Sequence, residues 1–145
     1  MHNGMDLIKS FEGLKLETYL CPAGIPTIGY GQTGPDVVMG MKITAKEAED
    51  RLLKEYTKYE TKVKELLTKT LNENQLGAVV SFAYNVGLGS LKVSTLLKHL
   101  NAGKFAEASQ EFVKWNKARV KGRLTVLNGL TRRRLAERDL FVLPI

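Results

Sequence analysis

Residues 11–31 read FEGLKLETYLCPAGIPTIGYG, and the rest of the chain is organised around this stretch. It places one acid, Glu12, at the end of an apolar-periodic segment. Over residues 15–33, strand-favouring side chains are interrupted by prolines and glycines, which predicts a small twisted β-hairpin region. Because such a segment folds back on itself, we expect Glu12, Cys21 and Thr27 to line one wall of a cleft.

The chain has 145 residues, enough to bury a core, and we expect one folding unit with two lobes. Hydrophobic residues make up 43% and charged residues 26%, which is ordinary for a soluble globular protein. No stretch approaches the roughly 20 apolar residues that span a bilayer. The first residues also lack the segments of a signal peptide, so the sequence predicts accumulation in the cytoplasm. A single cysteine excludes an intramolecular disulfide framework and a Cys-based zinc finger.

The formal net charge of the whole chain is +7, and the excess of positive charge lies in its second half. Residues 1–72 balance ten Lys and Arg against ten Asp and Glu, whereas residues 73–145 carry twelve against five. Between Lys114 and Arg138 there are nine basic residues and one acid, Glu137. A one-sided basic surface predicts an anionic partner, which is nucleic acid, anionic lipid or an acidic cell-wall glycan.

Capping signals mark the helices. Thr44 and Glu47 form a capping box that opens a helix of about 24 residues, long enough to bridge two lobes. Asn72 is the N-terminal signal of a second helix, which Gly87 and Gly89 interrupt. The other segments predict a first helix over 5–11, short helices over 94–100 and 105–115, an irregular basic loop over 117–128, and a last helix that Thr131 caps and that ends near 141. This order predicts an α+β protein in which helices dominate.

The joint pattern of the opening stretch resembles the active-site segment of phage lysozymes, the endolysins of glycoside hydrolase family 24. That family has a Glu, eight residues, an Asp or Cys, five residues and a Thr, and Glu12, Cys21 and Thr27 have this spacing. The resemblance continues in family order over nearly the whole chain, through residues 75–87 (QLGAVVSFAYNVG), 94–97 (STLL), 101–103 (NAG), Phe112, Trp115, Asn116 and 129–137 (GLTRRRLAE).

This resemblance implies a single domain over residues 1–145 with a two-lobed lysozyme-like fold. A small N-terminal β-hairpin lobe would take about residues 13–56, and a long connecting helix would lead to a C-terminal helical bundle, with residues 1–12 and 57–145 in the helical lobe. The implied activity is a muramidase that cleaves the β-1,4 bond between N-acetylmuramic acid and N-acetylglucosamine. A monomer would act on peptidoglycan glycan strands in the periplasm, released from the host cytoplasm through a holin-type lesion.

In this family pattern, Glu12 would protonate the leaving glycosidic oxygen. An inverting glycosidase needs a second group about 6.5–9.5 Å away to activate water. Many relatives have Asp at that place, and this chain has Cys21. A thiol with an ordinary pKa of about 8.5 is mostly protonated at pH 7 and is a poorer base than a carboxylate. Three roles stay open for Cys21, namely thiolate base, transient nucleophile and water-positioning group, while Thr27 would hold the water.

Further site residues are implied by the same resemblance. Some relatives have a histidine where this chain has Gln32, within a salt-bridge network around the catalytic Glu. Gln32 carries no charge, so we expect Arg133 or Arg134 to support Glu12.

No metal-ligand cluster or cofactor motif is visible, so the sequence predicts no metal and no cofactor. Aromatic faces and amides bind sugars, and the expected substrate contacts are Tyr30, Gln32, Tyr84, Asn85, Thr95 and Trp115.

Other interpretations stay open. Alone, a Glu at a helix end is usually a surface charge and a single Cys a small buried hydrophobe, so only the joint pattern indicates catalysis. A nucleic-acid-binding protein would use the basic segment Lys114–Arg138, but no aromatics interleave with the basic residues and no recognition motif is present, so we expect no nucleic-acid partner. A further hypothesis adds a second activity to catalysis. In it, the basic C-terminal region contacts anionic outer-membrane lipid and disrupts membranes independently of catalysis.

Overall fold

The computed structural model describes residues 3–144. Helices make up most of this part, beside two antiparallel sheets of two strands each, which confirms the predicted α+β class. None of its helices has the length and apolar character needed to cross a membrane. In chain order the elements are α1 (Asn3–Glu12), β1 (Lys15–Leu20), β2 (Pro26–Gly29), α2 (Ala45–Leu66), α3 (Glu73–Val86), α4 (Leu88–Lys92), α5 (Thr95–Asn101), α6 (Phe105–Glu111), a 3₁₀ turn (Phe112–Lys114), β3 (Lys117–Val120), β4 (Arg123–Val126) and α7 (Asn128–Val142).

The first hairpin carries two of the predicted catalytic residues. β1 and β2 are antiparallel, and Tyr19 lies opposite Thr27. The turn closes through a hydrogen bond of 3.1 Å that the Cys21 amide donates to the Ile25 carbonyl. Since alternate residues of a strand share a face, the side chains of Cys21 and Thr27 lie on the same face of the hairpin.

Helix α2 contributes to two hydrophobic clusters. Its predicted capping box is confirmed, because Thr44 Oγ1 accepts from the Glu47 amide and the Glu47 carboxylate accepts from the Thr44 amide, both at 3.1 Å. Near its start, Ala48 packs in a small cluster with residues of β2 and the following loop. Further along, its buried residues belong to the large cluster of the helical bundle: Leu52, Tyr56 and Val63. The helix therefore ties the hairpin to the bundle.

Helix α3 is the centre of the large cluster and packs against α1, α2 and α7. The crossing with α1 is close at Gly4, where an added Cβ would lie 2.5 Å from the Gly77 carbonyl oxygen. Only glycine allows the two backbones to approach this closely. Glu12 is the last residue of α1, so this crossing helps to fix where the carboxylate lies.

The predicted irregular loop over residues 117–128 is wrong, because most of it forms the β3–β4 hairpin. Lys121 and Gly122 both have positive φ values, 51° and 79°, as a two-residue hairpin turn requires. The β-branched Val120, Thr125 and Val126 favour the flanking strands. In the sequence, the glycine and the many basic residues obscure the alternation that is typical of a strand.

Two predicted helix boundaries also differ. The helix over 105–115 ends at Glu111 and continues as a 3₁₀ turn, which leaves Trp115 outside it. The last helix begins at Asn128, three residues before the predicted cap. Thr131 instead lies inside α7, where its hydroxyl donates to the Leu127 carbonyl and accepts from Asn116 Nδ2. A tertiary contact thus uses the side chain that the sequence pattern assigned to capping.

Candidate active site

Glu12 is held by an arginine from the far end of the chain. Arg133 Nη1 donates to Glu12 Oε2 at 2.7 Å across 121 residues of sequence. The Arg133 side chain is only 4% exposed, and that of Glu12 is 22% exposed. A charge-assisted bond in such a partly dry site is short and directional, so it fixes the position of the carboxylate. Of the two arginines expected to support Glu12, Arg133 is the one in contact.

Behind Arg133 lies a buried network around Glu137. Arg133 Nε donates to Glu137 Oε2 at 3.3 Å, and Arg134 Nη1 donates to Glu137 Oε1 at 2.6 Å. Ser81 adds a bond of 2.7 Å from its hydroxyl to Glu137 Oε2 and one of 3.2 Å from Arg133 Nη2 to its carbonyl oxygen. Burial raises the pKa of Glu137, and the charges of both arginines oppose that shift. The network holds the Arg133 guanidinium in one orientation.

Glu12 lines a cavity of about 580 Å³. Its walls come from the end of α1, the end of α3 and the start of α7. Both apolar and polar side chains line it, as in cavities that bind organic ligands. The lining residues are Ser10, Phe11, Glu12, Asn85, Leu127, Gly129, Leu130, Arg132 and Arg133.

Gly31 brings the β1–β2 hairpin to the carboxylate. It follows β2 with a φ of +79°, and an added Cβ would overlap Glu12 Oε1. A side chain here would be strained and would also displace the carboxylate. The hairpin that carries Cys21 and Thr27 is thus anchored beside Glu12 by a glycine contact.

Cys21 has an environment that favours its thiolate. Hydrogen bonds from the backbone at Ile25 and Ala23 lower the pKa of the thiol, and the Thr27 hydroxyl adds to the same shift. Thr27 is itself buried, and its hydroxyl donates to the Ile25 carbonyl oxygen at 2.8 Å. Cys21 and Thr27 are therefore neighbours in space, as their shared face of the hairpin requires.

The six expected substrate contacts are divided among several places. Asn85 lines the Glu12 cavity and also accepts a bond from Arg134 Nη2. Gln32 and Tyr84 line a different cavity of about 180 Å³. Thr95 and Trp115 line a third, of about 510 Å³, beside the β3–β4 hairpin.

Tyr30 and Tyr84 form a link between the hairpin and the bundle. The Tyr84 hydroxyl donates to the Tyr30 carbonyl oxygen at 3.0 Å. Burial raises the pKa of Tyr84, with a further contribution from the charge of Glu12. Both tyrosines thus have structural contacts, whereas Asn85 is the expected substrate contact that shares a cavity with Glu12.

Sequence reasoning missed the part played by Ser81. Nothing in its position on α3 distinguishes it from other small buried residues, since its partners come from α7. Glu137 left a clearer signal, because it is the single acid in the basic segment Lys114–Arg138. Within residues 3–144, no three His, Cys, Asp or Glu side chains are grouped so that they could hold a metal ion.

Known proteins that are similar to this chain identify its family. The family model described as phage lysozyme matches residues 9–137. This chain belongs to the phage lysozyme family. In the solved endolysin from Escherichia coli O157:H7 phage FAHEc1, 42% of residues are identical, the TM-score is 0.91, and the match covers 98% of this chain and 92% of that one. These matches confirm the lysozyme-like fold.

Two further relatives extend the comparison. The muramidase domain of SpmX from Asticaccaulis excentricus is 36% identical with a TM-score of 0.92, over 99% of this chain and 97% of that one. The endolysin of Bacillus phage B103 is 46% identical over 144 residues, which are 96% of this chain and 52% of that protein. The chain therefore spans about half the length of the first curated relatives that it matches. Neither of these relatives supports a nucleic-acid-binding protein.

We predict that Glu137→Ala lowers the free energy of unfolding by about 3–5 kcal/mol, because it leaves the buried guanidinium of Arg134 without a carboxylate and that of Arg133 with Glu12 alone. Chemical denaturation measures this change. Glu65→Ala, which removes an exposed glutamate from α2, is the matched control and should change stability by less than about 0.5 kcal/mol. Equal effects of the two substitutions would contradict the role assigned to the network.

Proposed function

We propose that this chain is a peptidoglycan hydrolase that cleaves the β-1,4 bond between N-acetylmuramic acid and N-acetylglucosamine, in the service of host cell lysis. The observation that carries this proposal is the Glu12 carboxylate, fixed by Arg133 on the wall of a 580 Å³ cavity beside the hairpin of Cys21 and Thr27. Membership in the phage lysozyme family supports it, as do relatives described as an endolysin and a muramidase domain.

Glu12 acts as the general acid in this proposal. Its Oε2 accepts the bond from Arg133, so Oε1 is the oxygen left to carry the proton to the leaving glycosidic oxygen. Arg133 and the network behind it prevent the carboxylate from rotating away during the reaction. Fixing the acid in this way lowers the entropic part of the barrier.

Cys21 acts as the base. The backbone bonds that lower its pKa increase the fraction of thiolate, and Thr27 on the same face of the hairpin positions the water that the thiolate activates. The thiolate removes one proton from water as the hydroxide attacks the anomeric carbon, and the leaving oxygen takes the proton of Glu12. This acid–base pair is the inverting arrangement.

We also propose that the protein works as a monomer and without a cofactor. It accumulates in the host cytoplasm and reaches the periplasmic wall after a holin-type lesion opens the membrane. Cell fractionation before and after a membrane-permeabilising treatment tests this localisation.

A second partner is favoured by the β3–β4 hairpin, and we propose that this hairpin contacts anionic lipid. Lys117 lies opposite Val126 and Arg119 opposite Leu124, so these four side chains share one face. Leu124 is 63% exposed and Val126 is 52% exposed. A bilayer of anionic lipid accommodates both the cations and the aliphatic groups, whereas a soluble polyanion uses only the cations.

We expect Glu12→Gln to reduce hydrolysis of purified peptidoglycan by about 10²–10⁴-fold, since the amide cannot donate the catalytic proton. New reducing ends, identified by mass spectrometry of the fragments, measure the activity. Glu17→Gln, at an exposed acid of the neighbouring strand β1, is the control and should stay active. Anhydro-muramic ends would indicate a lytic transglycosylase instead, and cleaved peptides would refute the glycosidase.

Substitutions of Cys21 test the base. Cys21→Ser should be severely impaired, whereas Cys21→Asp should keep part of the activity. Because the base must be deprotonated, activity rises as pH passes its pKa, and a carboxylate with an ordinary pKa of about 3.9 should move this acid limb below that of the thiol. A pH profile of each variant measures the shift. Near-normal activity of Cys21→Ser would rule out the thiolate as base.

The lipid contact is tested by sedimentation with vesicles of phosphatidylglycerol or phosphatidylcholine. At about 1 kcal/mol for each cation, Lys117→Gln with Arg119→Gln should weaken binding to the anionic vesicles by about 30-fold. Lys46→Gln with Lys62→Gln makes the same change of net charge on exposed residues of α2 and is the control. If Leu124→Ser with Val126→Ser binds like the parent protein, the apolar part of the proposal is wrong.

A further inference from the structure

The buried network around Glu137 reaches the cavity of Glu12 a second time, through Arg134. Arg134 Nη2 donates to Asn85 Oδ1, and Asn85 lines the same cavity as Glu12. Arg133 and Arg134 are consecutive residues of α7, and both also donate to Glu137. One buried carboxylate therefore holds two neighbouring guanidinium groups, one in contact with Glu12 and the other with Asn85.

Helix α3 presents the partners of both arginines on one face. Ser81 and Asn85 are four residues apart, so they lie one above the other along the helix. Ser81 accepts from Arg133 through its carbonyl oxygen, and Asn85 accepts from Arg134 through its side chain. Between them, the Phe82 ring packs on the Arg134 guanidinium, whose carbon lies 5.0 Å from the ring centroid. These contacts restrict the Arg134 guanidinium to one orientation.

The contact with Arg134 determines which end of the Asn85 amide is available to a ligand. A guanidinium only donates hydrogen bonds, so the amide oxygen must be the atom that faces it. Arg134 is fully buried, whereas Asn85 is exposed. The amide nitrogen therefore lies away from the buried guanidinium, and its N–H groups have no hydrogen-bond partner within residues 3–144. Asn85 thus offers the cavity a donor of fixed direction.

Stability alone is a weak explanation for Arg134. Its Nε has no partner in the described part of the chain, so the burial of this guanidinium is incompletely compensated. Buried ion pairs are often no more stabilising than well-packed apolar side chains of similar volume. A buried arginine that bonds to a side chain of a cavity wall has a further use, because it holds that side chain in one orientation.

We propose that Arg134 is a positioning residue, which orients the Asn85 amide so that its Nδ2 donates a hydrogen bond to an oxygen of the glycan. The inference rests on the proposed glycan substrate and divides the network into two arms. The arm through Arg133 fixes the acid and acts on the proton transfer. The arm through Arg134 fixes a donor that takes no part in proton transfer. Loss of that donor weakens the ground state and the transition state equally, so it raises KM and leaves kcat nearly unchanged.

Two substitutions of Asn85 separate a donor from an acceptor. Asn85→Asp keeps an oxygen for Arg134 and loses the Nδ2 donor, whereas Asn85→Ala loses both. Each should raise KM for the release of reducing ends from purified peptidoglycan by about tenfold, because one hydrogen bond contributes up to about that factor. Gln110→Glu and Gln110→Ala, the same two changes at an exposed amide of α6, should leave KM as it was.

A parental KM in Asn85→Asp would overturn the inference, since Asn85 would then serve only as the acceptor for Arg134. The rise in KM should also persist at every pH at which the parent protein is active. A rise that disappears at another pH would be an effect of the new charge on Glu12, and it would equally overturn the donor role.

Arg134→Lys tests the positioning. Lysine keeps a positive charge beside Glu137 but lacks the planar fork that also bonds to Asn85. This variant should show the same rise in KM, and adding Asn85→Ala should change KM by less than about twofold, because the amide is already misdirected. A loss chiefly in kcat would mean that Arg134 acts through Arg133 and Glu12, and two multiplicative losses would mean independent roles. Both results contradict the proposal.

Two further measurements keep the test decisive. If circular dichroism shows that Arg134→Lys does not fold, the comparison of Asn85→Asp with Asn85→Ala decides alone. If the parent protein releases no reducing ends, the proposed hydrolase is wrong, and sedimentation of the Glu12→Gln protein with the same peptidoglycan still measures binding. There Asn85→Asp should weaken binding by about tenfold. Equal binding with and without this substitution refutes the donor role whatever the enzymatic result.

Discussion

The ion pair between Glu12 and Arg133 is the constraint on which the rest of the structure depends. It joins the end of α1 to α7 across 121 residues, and it brings a carboxylate and a nearly buried guanidinium together at 2.7 Å. Such a pair is stable only when the remaining donors of the arginine are also satisfied, because desolvation of the charges is costly. Glu137 and Ser81 meet this need. The buried network is thus a condition for placing the proposed acid.

The hairpin is positioned on the other side of the carboxylate by different forces. Ile28 packs with Ala48 of α2 in the small cluster, so hydrophobic burial holds β2 against the long helix. The bond from Tyr84 to the Tyr30 carbonyl adds a polar link to α3. Gly31 then allows the backbone to contact Glu12, because a side chain at position 31 would overlap the carboxylate. Packing therefore places the hairpin that carries Cys21 and Thr27 beside Glu12.

Local signals in the sequence determined much of this protein. The capping box of Thr44 and Glu47, the periodic apolar stripe of α2 and the hairpin after Glu12 depend on neighbours within a few residues, so the chain itself specifies them. The spacing of Glu12, Cys21 and Thr27 indicated the phage lysozyme family, to which the chain belongs.

Tertiary structure alone decided which of two arginines meets Glu12 and that Ser81 lies behind that arginine. It also decided that Thr131, inside α7, accepts a hydrogen bond from Asn116, and that residues 117–126 form a hairpin. These outcomes depend on contacts between segments that are distant in sequence, and their energies appear only when packing brings the partners together. Periodicity and capping patterns carry no information about such contacts.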